Sequence, residues 1–406
     1  MRIAIFSDNF YPELSGISDS IIAFSKNLAK RGHFVDFYVP YYAEKNYLAT
    51  KLPYAEIDLG PNVKVHRFFS LPYKTDTGQG RLVIPVGFRA VKVAESSPDI
   101  IHTQMFFGVG LEAVFTSRFL KKPLVGTQHT AVKEFLKYSP VRSAWTDKLL
   151  LNYVNWYYER CDFVTAPSHS VFKEMVELGF KGPATQAISN PIDTETFHPI
   201  KDRDALKKKF EFTDNTLLYA GRISEDKHPE VLVEALAIAI KTVPKAMLAF
   251  VGKGAAEESL KKLATDLNIE KSVKFLGFVE KPTLCEIYNA ADVFGIASTS
   301  DTQSLVMMQA MASGTPVIGV NARALPEYIN KDNGFVVEPG DVKAFAEKLI
   351  YLFENPETAR KLGAGGRKYA EQFSQDEITI QWEAIYEKTI KDYNKKHEDQ
   401  PGHPRV

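Results

Sequence analysis

The stretch that decides the fold lies just past the middle of the chain and reads Leu217-Leu218-Tyr219-Ala220-Gly221-Arg222-Ile223-Ser224-Glu225-Asp226-Lys227-His228-Pro229. Its first four residues form a short apolar run typical of a buried parallel strand, and a helix is predicted after the proline. Arg222 and Lys227 lie five positions apart across the intervening turn, a spacing suited to holding a diphosphate through charge-assisted hydrogen bonds. The turn lacks the Walker spacing, so it is not a P-loop. Solvated surface cations would give the same pattern.

Apolar runs of this kind alternate with helical patterns along the whole chain, which indicates βαβ units. In the first half the predicted strands are Ile3–Phe6, Val35–Val39, Val63–Phe68, Ile100–Thr103, Leu124–Thr127 and Phe163–Ala166. In the second half they are Leu217–Ala220, Met247–Val251, Val273–Leu276, Val293–Ala297, Val317–Gly319 and Phe335–Val337. The pattern therefore predicts an α/β protein with two doubly wound, Rossmann-like domains.

The alternation breaks once, where Asn190-Pro191-Ile192-Asp193 is followed by Phe197-His198-Pro199 and a charged run. This composition is typical of a linker and places a domain boundary near residue 195. The predicted domains are 1–195 and 196–375. A helix over 376–395 is expected to pack back on the first domain, and residues 396–406 are expected to form a disordered tail.

Composition restricts the function classes. Fifty Lys and Arg residues balance fifty Asp and Glu residues over 406 positions, so net charge gives no support to nucleic-acid binding. Only Cys161 and Cys285 occur, which argues against a disulfide framework and fits a reducing compartment. No stretch approaches the ~18 apolar residues of a membrane span, and the first residues read as a strand rather than a signal peptide. A cytoplasmic protein, or one bound peripherally at the inner membrane face, is expected.

Two further loops follow predicted strands, where ligands of open α/β sheets bind. The first runs from Asp8 to Gly16 and opens a helix, so its backbone N–H groups could approach a phosphate, although an ordinary turn glycine would look the same. The second is Ser298-Thr299-Ser300-Asp301-Thr302-Gln303-Ser304-Leu305, ahead of a helix that carries Gln309 and ends at Gly314-Thr315-Pro316. Simple helix capping by Asp301 is the alternative to a ligand site there.

Taken in order, the Gly16 loop, the His129 loop, the Arg222 and Lys227 pair and the Asp301 to Gln309 helix resemble the family 4 glycosyltransferases. The resemblance covers residues 1 to about 390. Its most specific parts are Gly221-Arg222 with Lys227, Asn190-Pro191-Ile192-Asp193, and the run Ala310-Met311-Ala312-Ser313-Gly314-Thr315-Pro316-Val317. It implies the GT-B fold, in which two Rossmann-like domains face one another across a cleft. It also implies retaining transfer of a hexose from a UDP- or GDP-linked donor to an acceptor hydroxyl.

The resemblance also assigns roles to single residues. Arg222 and Lys227 would hold the donor diphosphate, with Gly16 against it. His129 would reach the donor sugar near the reacting carbon, and His102 would face the acceptor; a structural histidine is the alternative for each. The remaining donor-binding candidates are Gly221, Asp301, Gln303, Ser304, Leu305 and Gln309.

One departure concerns the helix after Ser300. The family usually carries glutamates where this chain has Asp301 and Gln309. Asp301 is a methylene shorter, and Gln309 hydrogen-bonds ribose hydroxyls without a charge. Three readings therefore stay open: a transferase, another GT-B enzyme such as a nucleotide-sugar epimerase or glucan synthase, and a nucleotide-sugar-binding protein without turnover.

Departure of the nucleotide must be assisted by charge. No carboxylate pair is placed as a glycosidase would need, and Asp202-Arg203-Asp204 lies in the linker rather than after a strand. Arg222 and Lys227 are therefore expected to do this work electrostatically, with no metal ion and no cofactor.

Residues 131–160 point to the acceptor. Five cations there are interleaved with many aromatic and aliphatic residues, a composition suited to an anionic lipid surface. A helix packed on its own domain would show the same composition. The stretch looks most like the branch of the family that glycosylates diacylglycerol or similar lipids, so a membrane lipid is the expected acceptor, with a glycan as the alternative.

Overall fold

A computed structural model describes residues 1–13, 15–50, 52–73, 79–130, 132 and 143–398. Contacts within the chain divide it into two compact units. The first unit comprises Met1–Pro191 and the segment from Gln375 onward, and the second comprises Ile192–Ser374. Each unit is a parallel sheet with helices packed on it.

The first unit is built on a seven-stranded parallel sheet of order β3-β2-β1-β6-β7-β8-β9. Its strands are β1 (Arg2–Phe6), β2 (Phe34–Pro40), β3 (Val63–Phe68), β6 (Ile100–Thr103), β7 (Leu124–Thr127), β8 (Phe163–Ala166) and β9 (Ala184–Ala187). A separate antiparallel hairpin pairs β4 (Leu71–Pro72) with β5 (Arg81–Leu82). The helices are α1 (Gly16–Lys30), α2 (Glu44–Ala49), α3 (Ala90–Ala94), α4 (Gly108–Leu120), α5 (Ala144–Tyr158) and α6 (His169–Glu177).

The second unit holds a six-stranded parallel sheet of order β12-β11-β10-β13-β14-β15. Its strands are β10 (Thr216–Ala220), β11 (Met247–Val251), β12 (Val273–Gly277), β13 (Val293–Ile296), β14 (Val317–Val320) and β15 (Gly334–Val337). Its helices are α7 (Arg203–Phe210), α8 (Glu230–Ala239), α9 (Glu257–Asp266), α10 (Lys281–Ala290), α11 (Leu305–Ala312), α12 (Leu325–Tyr328), α13 (Val342–Glu354) and α14 (Pro356–Ala370). Strand order reverses beside β10 in this sheet and beside β1 in the first, the position where α/β sheets bind ligands.

The last helix, α15 (Gln375–His397), belongs to the first unit and packs along α1. Its Trp382 stacks on Phe24 with ring centroids 5.4 Å apart. Glu383 accepts two hydrogen bonds of 2.8 Å from the guanidinium of Arg31. The helix thus runs two residues beyond the predicted end at 395, and residues 399–406 of the expected tail lie outside the described residues.

The predicted α/β class and both parallel sheets are confirmed. All twelve predicted strands occur. Most are buried on both faces and are therefore largely apolar runs, whereas the half-buried edge strands β3 and β12 include polar residues. The edge strand β9 was missed because its sequence Ala184-Thr185-Gln186-Ala187 is polar and largely exposed. The hairpin β4–β5 was missed because each of its strands has only two residues.

Candidate active site

In the second unit, the turn after β10 is shaped by glycine. Gly221 has φ +134°, a conformation that side-chain-bearing residues rarely adopt, and its N–H donates to Val251 O at 2.9 Å. The turn after β11 lies directly against it, since a Cβ on Gly252 would stand 1.9 Å from the carbonyl oxygen of Gly221. The two turns can touch only because Gly252 lacks a side chain, whereas Gly221 is favoured by its positive φ. Gly252 was not singled out from the sequence.

Lys227 lies at the centre of a polar cluster beyond this turn. Its ammonium donates to Ser300 Oγ at 3.0 Å and lies 3.3 Å from Asp301 Oδ1 and 3.6 Å from Asp226 Oδ2. Lys227 follows β10 and Asp301 follows β13, and these strands are neighbours in the sheet. Parallel pairing therefore brings together two predicted site residues that are far apart in sequence.

Asp226 links several residues of the loop around Lys227. It accepts hydrogen bonds from Ser224 Oγ at 2.6 Å and Ser300 Oγ at 3.1 Å, and Arg222 Nη2 lies 3.4 Å away. Burial raises the pKa of Asp226, but the hydrogen bond from Ser224 and the charges of Lys227 and Arg222 outweigh burial and hold it below its ordinary value. Asp226 is therefore an ionised carboxylate that orients the side chains of Lys227 and Arg222.

Arg222 is far more accessible than Lys227. Half of the Arg222 side chain is exposed against 19% of the Lys227 side chain. The geometry suits a bound anion that Lys227 meets from within the loop and Arg222 meets from its rim.

The start of α11 completes this half of the site. Ser304 is the N-cap, and its hydroxyl accepts from the backbone N–H of Met307 at 3.4 Å. Val306 approaches within 4.0 Å of the Cβ position of Gly221, so the first turn of the helix lies beside the glycine turn. Gln303 and Ser304 are buried, and Leu305 is half-buried. The helix N-terminus adds a partial positive charge next to the two cations.

Gln309 lies one turn further along α11 and contacts a different partner. Its Oε1 accepts from the hydroxyl of the buried Tyr288 at 3.5 Å. The structure therefore groups Gly221, Arg222, Lys227, Asp301 and Ser304, while Gln309 is placed at the side of this group. Asp226 and Ser300 are the members that sequence reasoning missed, although both lay inside quoted motifs.

In the first unit, His129 lies at the end of β7 and is buried. Its Nε2 is 2.7 Å from Gln104 Oε1, and the amide nitrogen of Gln104 is 3.1 Å from the Nε2 atom of His102. An amide oxygen only accepts, so Nε2 of His129 carries the hydrogen. Burial lowers the pKa of His129 to about 4, which keeps the ring neutral at pH 7.

His102 is wholly buried beneath this pair. Its Nδ1 is 2.8 Å from the hydroxyl of Tyr386, its Nε2 is 2.7 Å from Thr127 Oγ1, and the ring of Trp382 lies 4.6 Å away. Burial, and to a smaller degree His129, hold the pKa of His102 well below its ordinary value. The acceptor-side role of His102 stays a prediction, and this position gives it no support. In the structure His102 contacts Gln104, and Gln104 in turn positions His129 by a hydrogen bond.

Gly16 is the first residue of α1 and is exposed. Ser15 is the N-cap and accepts from the N–H of Ser18 at 3.1 Å. Two carboxyl groups in the same loop were not predicted as site residues from the sequence. Burial raises the pKa of Asp8 to about 6, although the N–H groups of α4 bind it, and raises the pKa of Glu13 to about 7. Glu13 accepts from Asn9 at 2.9 Å and from Tyr42 at 3.0 Å.

The stretch 131–160 divides into exposed and buried parts where it is described. Residues 131 and 133–142, with Lys133, Lys137 and Arg142, lie outside the described residues. On α5, Trp145 and Leu149 are exposed, whereas Tyr157 and Tyr158 are fully buried in the first unit. Much of the aromatic content of the described part is therefore core rather than lipid-facing surface.

The described residues lack both a membrane-spanning helix and a cluster of potential metal ligands. None of their helices is both long and apolar enough to cross a bilayer. Nor do they contain a group of three or more His, Cys, Asp or Glu side chains placed to share a metal ion.

Comparison with known proteins identifies the family of this chain. A family model described as Glycosyltransferase Family 4 matches residues 14–196, and one described as Glycosyl transferases group 1 matches residues 202–369. An alpha-monoglucosyldiacylglycerol synthase of Streptococcus pneumoniae is 30% identical over 78% of this chain and 70% of its own length. The chain belongs to glycosyltransferase family 4. It is therefore an enzyme that transfers a sugar, as the resemblance predicted.

Other similarities to this glycosyltransferase are broader. An N-acetyl-alpha-D-glucosaminyl L-malate synthase of Bacillus anthracis is 27% identical over 94% of this chain and 96% of its own length. The Anabaena protein HepE, solved in complex with UDP, superposes with a TM-score of 0.75 at 20% identity, covering 96% of this chain and 100% of HepE. The predicted GT-B fold class is thereby confirmed.

The neutral state of His129 predicts a pH dependence of stability. In the unfolded chain this histidine takes up a proton near pH 6.5, but in the folded enzyme only near pH 4, so the unfolded state binds more protons between these values. The stabilisation is complete above pH 6.5 and falls by about 3 kcal/mol as the pH drops to 4. Urea unfolding of His129→Gln is expected to depend less on pH across this range than wild type. The exposed His198→Gln is the control, and an unchanged slope in His129→Gln would contradict the assignment.

Asp301 and Gln309 are expected to fail differently when truncated. Asp301→Ala removes the carboxylate beside Lys227 and is expected to lower kcat about tenfold or more, because contacts near the reacting carbon tighten in the transition state. Gln309→Ala removes a contact remote from the chemistry and is expected mainly to raise the donor KM. Gln309→Glu is expected to be tolerated. Both constants, kcat and the donor KM, are measured by steady-state kinetics at varied donor concentration.

The exposed Asp266→Ala provides the matched control for these variants. Asp301→Ala and Gln309→Ala variants that both behave like Asp266→Ala would show that α11 does not present these side chains to the donor.

Proposed function

We propose that this glycosyltransferase moves a hexose from a UDP- or GDP-linked donor to the hydroxyl of a diacylglycerol-type lipid, with retention of anomeric configuration. The observation that carries the proposal is the cluster beyond β10 and β13. There the ammonium of Lys227 and the guanidinium of Arg222 stand beside the N-terminus of α11. This arrangement is suited to a leaving diphosphate, which gains negative charge as the sugar departs.

The cluster supplies this charge without large rearrangement. Lys227 and Arg222 are already oriented by Asp226, and Lys227 is also held by Ser300 and Asp301. A bound diphosphate would add acceptors for both cations, while the N–H groups of α11 would contribute a further partial positive charge. Preorganised groups of this kind stabilise a transition state because they need little reorganisation during the reaction.

The proposed reaction proceeds in one stage on one face of the sugar. The bond from C1 to the diphosphate oxygen breaks, and its electron pair goes to the leaving group. The acceptor hydroxyl then bonds to C1 from the leaving-group face, and its proton passes to the departing phosphate oxygen. His129, neutral and with its Nε2–H held by Gln104, is the proposed contact to the donor sugar.

The pairing of the cluster's carboxylates argues against a covalent sugar intermediate. Asp226 and Asp301 both lie within 3.6 Å of the Lys227 ammonium, in the positions of cation anchors. A retaining glycosidase instead uses two carboxyl groups about 5–5.5 Å apart, one as nucleophile and one as acid. The proposed role of Asp301 is to orient Lys227 and to meet the donor sugar.

The lipid acceptor is proposed from the resemblance to the diacylglycerol branch and from the activity for which the Streptococcus pneumoniae relative is named. The Bacillus anthracis relative is named for a small carboxylic acid instead, so the acceptor is the part of the proposal that needs direct measurement.

Truncation of either cation tests the donor site. A charge-assisted hydrogen bond contributes about 1.5–3 kcal/mol, so Arg222→Ala and Lys227→Ala are each expected to lower kcat/KM by about ten- to a hundredfold. Far-ultraviolet circular dichroism is expected to match wild type, because both side chains lie on a surface loop. Lys241→Ala, an exposed lysine in the same unit, is the control. Near-normal turnover in both truncated variants would rule out this donor site.

The function itself is tested by product analysis. The enzyme is incubated with UDP-glucose, UDP-galactose or GDP-mannose and with diacylglycerol dispersed in detergent, and the lipid fraction is analysed by mass spectrometry and proton NMR. A glycolipid with the anomeric configuration of the donor is expected. An inverted product, or free sugar with every acceptor, would refute the proposal.

The same assay tests metal independence. Arg222 and Lys227 supply the positive charge that a divalent ion would otherwise bring to the diphosphate. Transfer is therefore expected to continue unchanged in excess chelator. Loss of activity that magnesium or manganese restores would contradict this part of the proposal.

A further inference from the structure

One side of the first unit carries an unusual concentration of exposed apolar side chains. Six of them define what we call the hairpin face: Phe69, Leu71, Leu82, Phe88, Val91 and Phe119. Each exposes at least two-fifths of its surface, and Phe88 exposes 73%. Single exposed apolar residues are normal on protein surfaces, but a contiguous set marks an interaction site.

The hairpin residues lie on one surface because of strand geometry. Leu71 of β4 is paired directly with Leu82 of β5, so their side chains point to the same side. Phe69 lies two residues before β4 and Ile84 two residues after β5, and both are exposed as well. The side chain of Arg81 is buried, and it donates to Ser70 O at 2.6 Å, which ties β5 to the chain just before β4.

The surface continues from the hairpin to α4. The buried carboxylate of Glu112 on α4 accepts hydrogen bonds from the N–H groups of Val86 and Gly87 and from Arg89 Nη1. Phe115 of α4 lies 3.9 Å from the Cβ position of Gly87, and Phe119 follows one helical turn later on the same face. Hairpin, turn and helix are thus fastened into one apolar surface.

The charges around this surface are mainly positive. Described residues 69–73, 79–95 and 108–122 contain two carboxylates: Glu112 is buried and paired with Arg89 at 2.9 Å, and Glu95 is exposed at the end of α3. Lys92, Arg118 and Lys121 are exposed along the same elements. An apolar centre with a cationic margin is complementary to an anionic lipid surface, where the cations meet the headgroups. A second copy of the chain would bring two sets of cations together, which disfavours self-association.

We propose that the hairpin face is the surface by which this enzyme docks on an anionic lipid bilayer. The proposal rests on the lipid acceptor of the proposed function and names the surface that reaches it. It differs from the sequence-based expectation, which placed membrane contact at residues 131–160.

The face adjoins the loop that leads to Gly16. Tyr73 is the last described residue of the hairpin's first strand segment, and it exposes half of its surface. Asp8 of that loop accepts hydrogen bonds from the N–H groups of Val109 and Gly110 at the start of α4, at 2.8 and 3.2 Å. The backbone of Val83, next to Leu82, packs against Gly108. A bilayer bound at the face would therefore deliver its lipids beside the loop predicted to approach the donor.

The test is co-sedimentation of the full chain with vesicles, without donor. Wild type is expected to bind vesicles of phosphatidylcholine with phosphatidylglycerol, to bind pure phosphatidylcholine more weakly, and to lose binding in high salt. The double variant Phe88→Glu with Phe119→Glu is expected to weaken the partition constant about tenfold or more. Circular dichroism checks that the variant is folded.

A matched pair of single variants isolates the face. Val91 on α3 and Val176 on α6 are both in the first unit and expose 61% and 64% of their surfaces. Val91→Glu is expected to weaken vesicle binding, and Val176→Glu is expected to leave it unchanged. Equal effects of the two substitutions, or wild type that stays in the supernatant with both vesicle types, would overturn the proposal.

Two further readouts separate this proposal from its alternatives. Transfer to diacylglycerol dispersed in detergent does not require a bilayer, so the double variant is expected to retain it. Vesicle binding without any transfer to lipid would leave the face standing and refute the lipid acceptor. Sedimentation velocity is expected to give the same mass for wild type and the double variant, and a dimer that the variant dissociates would overturn the proposal in favour of self-association.

Discussion

The candidate site in the second unit depends on the hydrogen bond and ion pairs made by the ammonium of Lys227. This ammonium joins a loop after β10 to a loop after β13 through Ser300 and Asp301, and Asp226 fixes it from its own loop. Only neighbouring parallel strands bring those loops together, and only glycine at 221 and 252 lets the backbone turn tightly enough beside them. Sheet topology, glycine conformation and electrostatics therefore converge on one side chain. Asp226 and Asp301 hold the two cations in place, and a bound anion would compete with these carboxylates for them.

Much of the fold was predictable because parallel strands buried on both faces must be apolar throughout. The same reasoning explains the failures. In β9 the polar residues Thr185 and Gln186 occupy an exposed edge, so no apolar run marks the strand. The hairpin of β4 and β5 is too short to show an alternation, and its apolar residues face outward, contrary to the rule used to find strands.

The site was predictable by residue type and position, but its connections were not. Arg222, Lys227 and Asp301 were recognised from loops after strands, yet the sequence cannot show that Asp301 pairs with Lys227 rather than standing free. His102 lies near the end of the buried strand β6 and His129 lies just beyond the buried strand β7, so the two look alike in sequence. His102 is buried beneath Trp382 and Tyr386, which lie more than 250 residues further along the chain, and it therefore has a structural position. His129 instead lies at the end of its strand. Contacts between residues so far apart in sequence leave no local signal.

The position of α15 has a consequence for synthesis. Helix α15 follows the second unit in the chain but packs on α1 of the first unit. Most of the first unit therefore leaves the ribosome before its last helix has been translated. Until α15 emerges, Phe24 and His102 lack the Trp382 ring, and His102 also lacks the hydroxyl of Tyr386. The contacts of His102 are thus completed only after the second unit has been translated. The order of the polypeptide couples the maturation of one half of the enzyme to the completion of the other.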